Sequence, residues 1–370
     1  MCNSMDVSSL RIANEKLKIS DDLSNAKNRH IIFVYCPIKV GSTSLVSSLR
    51  IGTLGNVKVC HIHSENCIRT LHGIENVSVK DIIQYNKSLG KKVTVIDVYR
   101  NPIEHKMSVY FELLSSYHFN NTEDRVKDYP VDKIIQRFNS LFPHLCNDDY
   151  YREKYGLPFY SIPGQFDYDK KCISTIWNGV TYIKLRLEDS AHWSGIIHSI
   201  LGFKFVMVKD YETESKQIHD LYRRFKEQYR VPKNFIDILR NDASVQYYLS
   251  PTEKEQYLQT WTIKSGDYVE PYTAHEYRIY TEISLSNKYI SDVHHSHYKD
   301  EGCICYGCCT KRKTVFQKLL RGENTDEKIQ HFQCVDEYKS NLNKKIHEKL
   351  KKVVRPAKKT AQRVVGMKII

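Results

Sequence analysis

The sequence predicts an α/β fold, a central parallel sheet flanked by helices. Three observations carry that expectation. Short apolar runs rich in β-branched and aromatic residues recur at 31–35, 57–62, 93–99 and 180–187, the pattern of buried strands. Helical stretches separate them, and strands that alternate with helices build a parallel sheet with helices on both faces. The residues with chemical potential gather where the runs end, which is where open α/β sheets hold their ligands.

Length and composition bound the rest. The 370 residues leave room for one large domain or two ordinary ones. A hydrophobic share of 41%, with 11% aromatic, supports a packed core. No run of about 18 apolar residues occurs, so no transmembrane helix is expected. The first thirty residues are polar, carry Glu15, Asp21 and Asp22, and do not resemble a secretory signal. Eleven cysteines, an odd number, read as reduced thiols and a cytoplasmic setting. The net charge of +13 is uneven: residues 339–370 hold eleven Lys or Arg against Glu348, which leaves +3 for everything before them. The basicity therefore belongs to a tail, and no specific nucleic-acid partner is expected.

In chain order, residues 1–28 read as a polar N-terminal arm with a short helical segment at best. A catalytic-type domain follows over 29–263. Its first strand runs into Pro37, then a short polar loop with Lys39, Val40, Gly41, Ser42, Thr43 and Ser44, then a helix carrying Leu45 and Leu49. A strand, a Gly-containing loop and a helix start make an anion site, because the unpaired N–H groups and the helix dipole favour negative charge. Lys39 adds a mobile cation. The loop is not a Walker A motif, which needs the Lys between the second Gly and the hydroxyl residue. The competing reading is a plain turn in which one of the three hydroxyls caps the helix.

The second strand ends in His61, His63 and Glu65. Residues 77–89 read as a helix that Gly90 stops. The third strand ends at Arg100 and Asn101, with Pro102 suited to a first helical turn and Ser108 about two turns on. Arg100 and Ser108 can meet a phosphate; the competing reading pairs Arg100 with a surface carboxylate. Glu104, His105 and Lys106 read as a solvated helix face. Residues 119–165 read as short helices and loops over the site, with most of their Tyr and Phe in the core. Residues 209–229 and 251–261 read as later helices.

These residues resemble the sulfotransferase superfamily, whose donor is 3′-phosphoadenosine 5′-phosphosulfate (PAPS). PIKVGSTSL resembles the family's 5′-phosphosulfate loop, with Ile38 as one extra residue between Pro37 and Lys39. YRNPIEHKMSVYF resembles its 3′-phosphate motif, an Arg followed eight positions later by a Ser. YIKLRLEDS over 182–190 and the stretch 221–242 are similar to later parts of the sulfotransferase-like capsular polysaccharide synthesis family. The resemblance covers roughly residues 29–261. It implies a P-loop-NTPase-like sulfotransferase fold, PAPS as donor with PAP as product, and a glycan or other hydroxyl (or amine) acceptor.

Sulfuryl transfer needs in-line placement and neutralisation of the leaving phosphate. Lys39 is the choice for that neutralisation. The acceptor proton needs a base, and imidazole suits neutral pH. His63 is the leading candidate: it lies where cytosolic sulfotransferases carry the His of a K-T-H segment, with His61 replacing the Lys. Glu65 is the alternative base. A rival class is a degenerate P-loop kinase, for which Asp97 is the one tempting metal-binding carboxylate. A third is a non-catalytic polyanion- or membrane-binding protein on the same scaffold.

Residues 264–335 are Tyr-rich, then rich in Cys and His. His297, Cys303, Cys305, Cys308 and Cys309 suit a structural zinc, although the spacing matches no standard finger; free thiols or a lipidated patch are the alternatives. Residues 336–370 form a basic tail. Leu342, Ile346, Leu350, Val353 and Val354 lie at helical spacing among lysines, which fits contact with a membrane surface or polyanion, or else a solvated tail.

Overall fold

The central sheet has five strands: β1 (His30–Tyr35), β2 (Lys58–Ile62), β3 (Lys92–Tyr99), β4 (Cys172–Trp177) and β5 (Val180–Arg186), in the order β2-β1-β3-β5-β4. β1 pairs in parallel with β2 and β3, and β3 with β5. The sheet is not parallel throughout. β4 is an antiparallel edge hairpinned to β5. The connecting Asn178 and Gly179 both have positive φ, 48° and 72°, as a two-residue type I′ turn requires. The computed structural model describes residues 7–119, 122–146, 166–208 and 217–274, with 276, 277, 280, 281 and 321.

The chain divides into two units, Met1–Glu112 with Phe138–Pro271, and Leu113–Arg137 with Tyr272–Ile370. In the first, the strand period of two sorts side chains into two core layers. Ile31, Phe33 and Tyr35 of β1 join one layer, with Val93 and Val95 of β3, α1 (Val7–Lys16) and α4 (Val79–Ser88). Ile32 and Val34 join the other, with α2 (Ser42–Gly52) and α8 (Trp193–Leu201). β1 is thus buried on both faces, and because it lies between β2 and β3 the loop that follows it is flanked by the ends of both strands.

Within the polar arm expected over 1–28, α1 and the residues just after it pack into this core. Leu10, Ala13, Leu17 and Ile19 are buried. Asn14 and Asn86 exchange amide hydrogen bonds at 3.1 and 2.8 Å, and Lys91 donates to Asn86 Oδ1 and to the Ser20 carbonyl. Pairing each buried polar group in this way offsets its desolvation. The short helix α1 hid the arrangement, because its apolar stripe is only a few residues wide.

Three further helices line the first unit's loops: α3 (Glu65–His72), α5 (Pro102–Glu112) and, after α6 (Glu123–Val126) and α7 (Val131–Leu141), α9 (His219–Gln228). α10 (Lys233–Arg240), α11 (Ala243–Tyr248) and α12 (Pro251–Ile263) complete it. Pro251 opens α12 behind a Ser250/Glu253 capping box. α5 is buried nearly all round, including Ile103, His105, Lys106, Met107, Ser108 and Phe111. The solvated face expected at Glu104, His105 and Lys106 is therefore absent: Glu104 accepts from the Tyr257 hydroxyl at 3.0 Å, and His105 and Lys106 are buried.

In the second unit, a π-turn over Leu114–His118 precedes α6. His118 Nδ1 and the Tyr280 hydroxyl share a 2.6 Å hydrogen bond, and the Arg137 guanidinium lies 4.0 Å from the Phe119 ring centre. The candidate zinc ligands His297, Cys303, Cys305, Cys308 and Cys309, and the basic tail, lie outside the described residues. Among the described residues no helix is long and apolar enough to cross a membrane.

Candidate functional site

The loop between β1 and α2 has an unusual backbone for its sequence. Lys39 has φ 64° and Gly41 φ 79°, both left-handed. Glycine is required at 41 on two counts: the backbone conformation, and space, since a Cβ there would stand 2.7 Å from Leu187 Cδ1 and 3.4 Å from the Trp193 ring. Gly41 is the N-cap of α2 and has no side chain to cap it, so Ser42, Thr43 and Ser44 lie inside the first turn rather than at the cap. The plain-turn reading, with a hydroxyl capping the helix, therefore fails. Ser42 is buried, and Thr43 and Ser44 are partly exposed in the first turn of α2.

Helix α5 holds this loop by its carbonyls. Arg100 Nη1 donates to the Lys39 carbonyl at 2.7 Å. A carbonyl can only accept, so the 2.9 Å contact between His105 Nε2 and the Ile38 carbonyl fixes the proton on Nε2. In a trans peptide the carbonyl and the following N–H point in opposite directions. With the Ile38 and Lys39 carbonyls turned to α5, the amides of Lys39 and Val40 point away from it. Burial pulls the His105 pKa down to about 4, with Arg100 and Lys106 adding to the effect against the Ile38 bond, so His105 is a neutral strut at neutral pH. The Lys39 ammonium itself lies 3.0 Å from Glu112 Oε2 at the far end of α5.

At the end of β2, His63 Nδ1 lies 3.0 Å from the Cys36 carbonyl. The same logic puts the proton on Nδ1 and leaves the lone pair of neutral His63 on Nε2. His61 packs edge-on against it, with ring centres 4.4 Å apart. Burial, then the neighbouring His63 and Arg50, lower the His61 pKa to about 4. Its Nε2 is buried with no hydrogen-bond partner among the described residues, as is Asn101 Oδ1 beside Arg100. Glu65, the alternative base, is engaged with the backbone and a tyrosine. Both its carboxylate oxygens accept from the Val79 amide, at 3.1 and 3.0 Å, and Oε1 also accepts from the Tyr35 hydroxyl. It caps the start of α4, where the helix dipole favours a carboxylate.

Arg100 opens onto a cavity of about 200 Å³ that also includes Pro37 and Val40 of the loop, His105, Lys106, Lys184 and Asp242. Burial lowers the Arg100 pKa, and the nearby Tyr222 and Glu104 oppose that. Ser108 is buried on α5 and is not part of the cavity wall. Lys106, expected on a solvated helix face, and Lys184, which the sequence reading passed over, are part of it. Lys184 faces Asp97 across β3 and β5 with 3.3 Å between the charged atoms, both side chains 2% exposed. Asp97 Oδ1 also accepts from the Val98 amide at 2.7 Å. Its carboxylate is committed to the sheet interior, unlike the metal-binding carboxylate the kinase reading needs.

A third group follows β5. Arg186 lies 2.6 Å from Asp189, 3.0 Å from Glu253 and 3.4 Å from Glu188, and its side chain is 3% exposed. Burial pushes the Glu188 carboxyl up to about 7, with Arg186 pulling the other way. Among the described residues no group of three or more His, Cys, Asp or Glu is arranged to hold a metal ion.

No family model, curated protein or solved structure matches this chain.

Proposed function

We propose that the protein is a sulfotransferase that moves a sulfuryl group from PAPS to a hydroxyl or amine acceptor, with a glycan as the favoured acceptor class. The observation that carries this reading is the joint between two adjacent strand ends, each carrying a cation. The β1 loop offers a helix start whose N-cap is Gly41, two left-handed residues and Lys39. The adjacent strand β3 offers Arg100, which is hydrogen-bonded to that same loop. A donor with phosphates at both ends of a nucleoside calls for two such sites side by side. The finer assignment, a P-loop-like sulfotransferase fold with a Cys/His-rich extension, belongs to the same proposal.

In this reading the loop amides and Lys39 receive the 5′-phosphosulfate, and Arg100 the 3′-phosphate. His63 accepts the acceptor's proton on Nε2, the nitrogen its bond to the Cys36 carbonyl leaves unprotonated. The acceptor oxygen bonds to sulfur as the bond from sulfur to the bridging phosphate oxygen breaks, and the electron pair stays with PAP. The test is thermal-shift measurement with PAP, ATP and GTP. Selective stabilisation by PAP is the expected result, because a ligand that binds only the folded state raises its stability. Stabilisation by ATP with magnesium, and not by PAP, would overturn the reading.

A further inference from the structure

We infer that the apolar patch at the far end of α2, made of Ile51, Leu54 and Val206, docks onto an anionic lipid surface and leaves the site at the start of α2 facing away from that surface. The inference stands apart from the donor reading and holds whatever the ligand of that site is.

α2 starts at the anion loop and runs back for 11 residues, about 16 Å at 1.5 Å per residue. The chain that leaves α8 meets its second end. A Cβ on Gly52 would stand 2.2 Å from Phe205 Cβ, and Ser48 Oγ accepts from the Val208 amide at 2.9 Å. That close approach sets Val206 beside the turn that ends α2. Leu54, 82% exposed, and Val206, 79% exposed, are the two most exposed large apolar side chains among the described residues, and Ile51 is 59% exposed. Single exposed apolar side chains are ordinary, whereas three at one spot mark a contact surface. Leu54 is also left-handed, with φ 48°, just before Gly55 with φ 74°. Asn or Gly fits such a backbone better than a leucine whose side chain the fold leaves in water. The charge around the patch has one sign. Residues 23–64 and 190–209 contain no Asp or Glu. Arg50 and Lys204 are exposed and Lys58 is half-buried, and none of the three has an ion pair among the described residues. Apolar tips flanked by cations and free of acids match the boundary between anionic headgroups and acyl chains. A second copy matches less well, because a two-fold interface would set each cation against its own kind with no acid between them. A nucleic acid calls for aromatic stacking surfaces, which Ile51, Leu54 and Val206 do not offer.

The test is co-sedimentation of the full chain with phosphatidylcholine vesicles, with and without phosphatidylserine. Binding should need the anionic lipid and weaken as salt is added. Vesicles that contain phosphatidylserine should slow hydrogen exchange at amides 51–58 and 204–208. Leu54→Asn should weaken binding about tenfold, the effect of one leucine withdrawn from the interface. Its melting temperature should be unchanged or higher, since Asn tolerates the left-handed backbone. A lower melting temperature would show that Leu54 packs within the fold and would overturn its place in the patch. Lys204→Glu should weaken binding about fivefold or more, the effect of one cation lost at a charged surface. The basic tail over 336–370 is present in every variant. Binding that survives both substitutions belongs to that tail and would overturn the inference, as would the absence of binding by the unaltered chain. Self-association without lipid that Leu54→Asn abolishes would also overturn it, in favour of a second copy of the chain.

Discussion

Replacing Glu112 with Gln should tighten donor binding. Lys39 and Glu112 form an ion pair at 3.0 Å with side chains 14% and 25% exposed. At an effective dielectric near 20, two unit charges about 4 Å apart attract by ~4 kcal/mol. Desolvation and lost rotamer freedom cancel much of that, leaving a net contribution of ~1–2 kcal/mol for a partly buried pair. An anion that recruits Lys39 must first displace Glu112, so its observed affinity is lower by that amount. Glu112→Gln keeps the shape and removes the competing charge. PAP affinity should then rise about 5- to 30-fold. Calorimetric titration at low salt reads this directly. A thermodynamic cycle with Lys39→Ala isolates the cause, because the gain must vanish when Lys39 is absent. Unchanged or weaker binding in Glu112→Gln, or an equal gain without Lys39, would show that Glu112 does not compete for the lysine.

Three other outcomes follow from the geometry. His63→Ala should lower kcat by roughly 10²–10⁴ with PAP affinity nearly intact, read by steady-state kinetics beside a binding titration. Glu65→Gln should leave turnover intact and cost ~0.5–2 kcal/mol of stability in denaturant unfolding, because a helix cap is weakened; loss of turnover with full stability would restore Glu65 as the base. Glu188 binds its proton more tightly in the folded chain, up to about 7 against an ordinary 4.5, so its contribution to stability is complete below pH ~4.5 and is lost as pH rises towards 7. Melting temperatures measured across that window should therefore show a fall in the unaltered protein that is shallower in Glu188→Gln.

The strands were legible because each is a continuous apolar run with a definite end. The β1 loop was legible as an anion site because Gly41 and Lys39 lie beside a helix start. The antiparallel edge was written in the sequence as Asn178-Gly179, a strong hairpin signal, but the run before it, CISTIW, alternates burial weakly and lacks the continuous apolar character of the other strands. The burial of Leu10 to Ile19 was hidden for a different reason. It depends on Asn14, Asn86 and Lys91 satisfying one another across 72 residues, and local composition counts all three as surface residues.

Helix α5 explains why the site's supports stayed hidden. Arg100, His105 and Glu112 each hold a different group of one loop: the Lys39 carbonyl, the Ile38 carbonyl and the Lys39 ammonium. On a helix of 3.6 residues per turn, positions 105 and 112 lie two turns apart and on one side, and Arg100 precedes the first turn. Those three spacings match the path of the β1 loop, not any hydrophobic period, so no amphipathic pattern reports them. The same helix is buried on nearly every side, and its polar residues therefore have structural partners where a sequence reading expects water. A left-handed Lys39 costs about 1–2 kcal/mol, and the loop keeps that backbone only while α5 supplies these bonds. The conformation of the anion loop is in this sense a property of residues 100–112 as much as of residues 37–44.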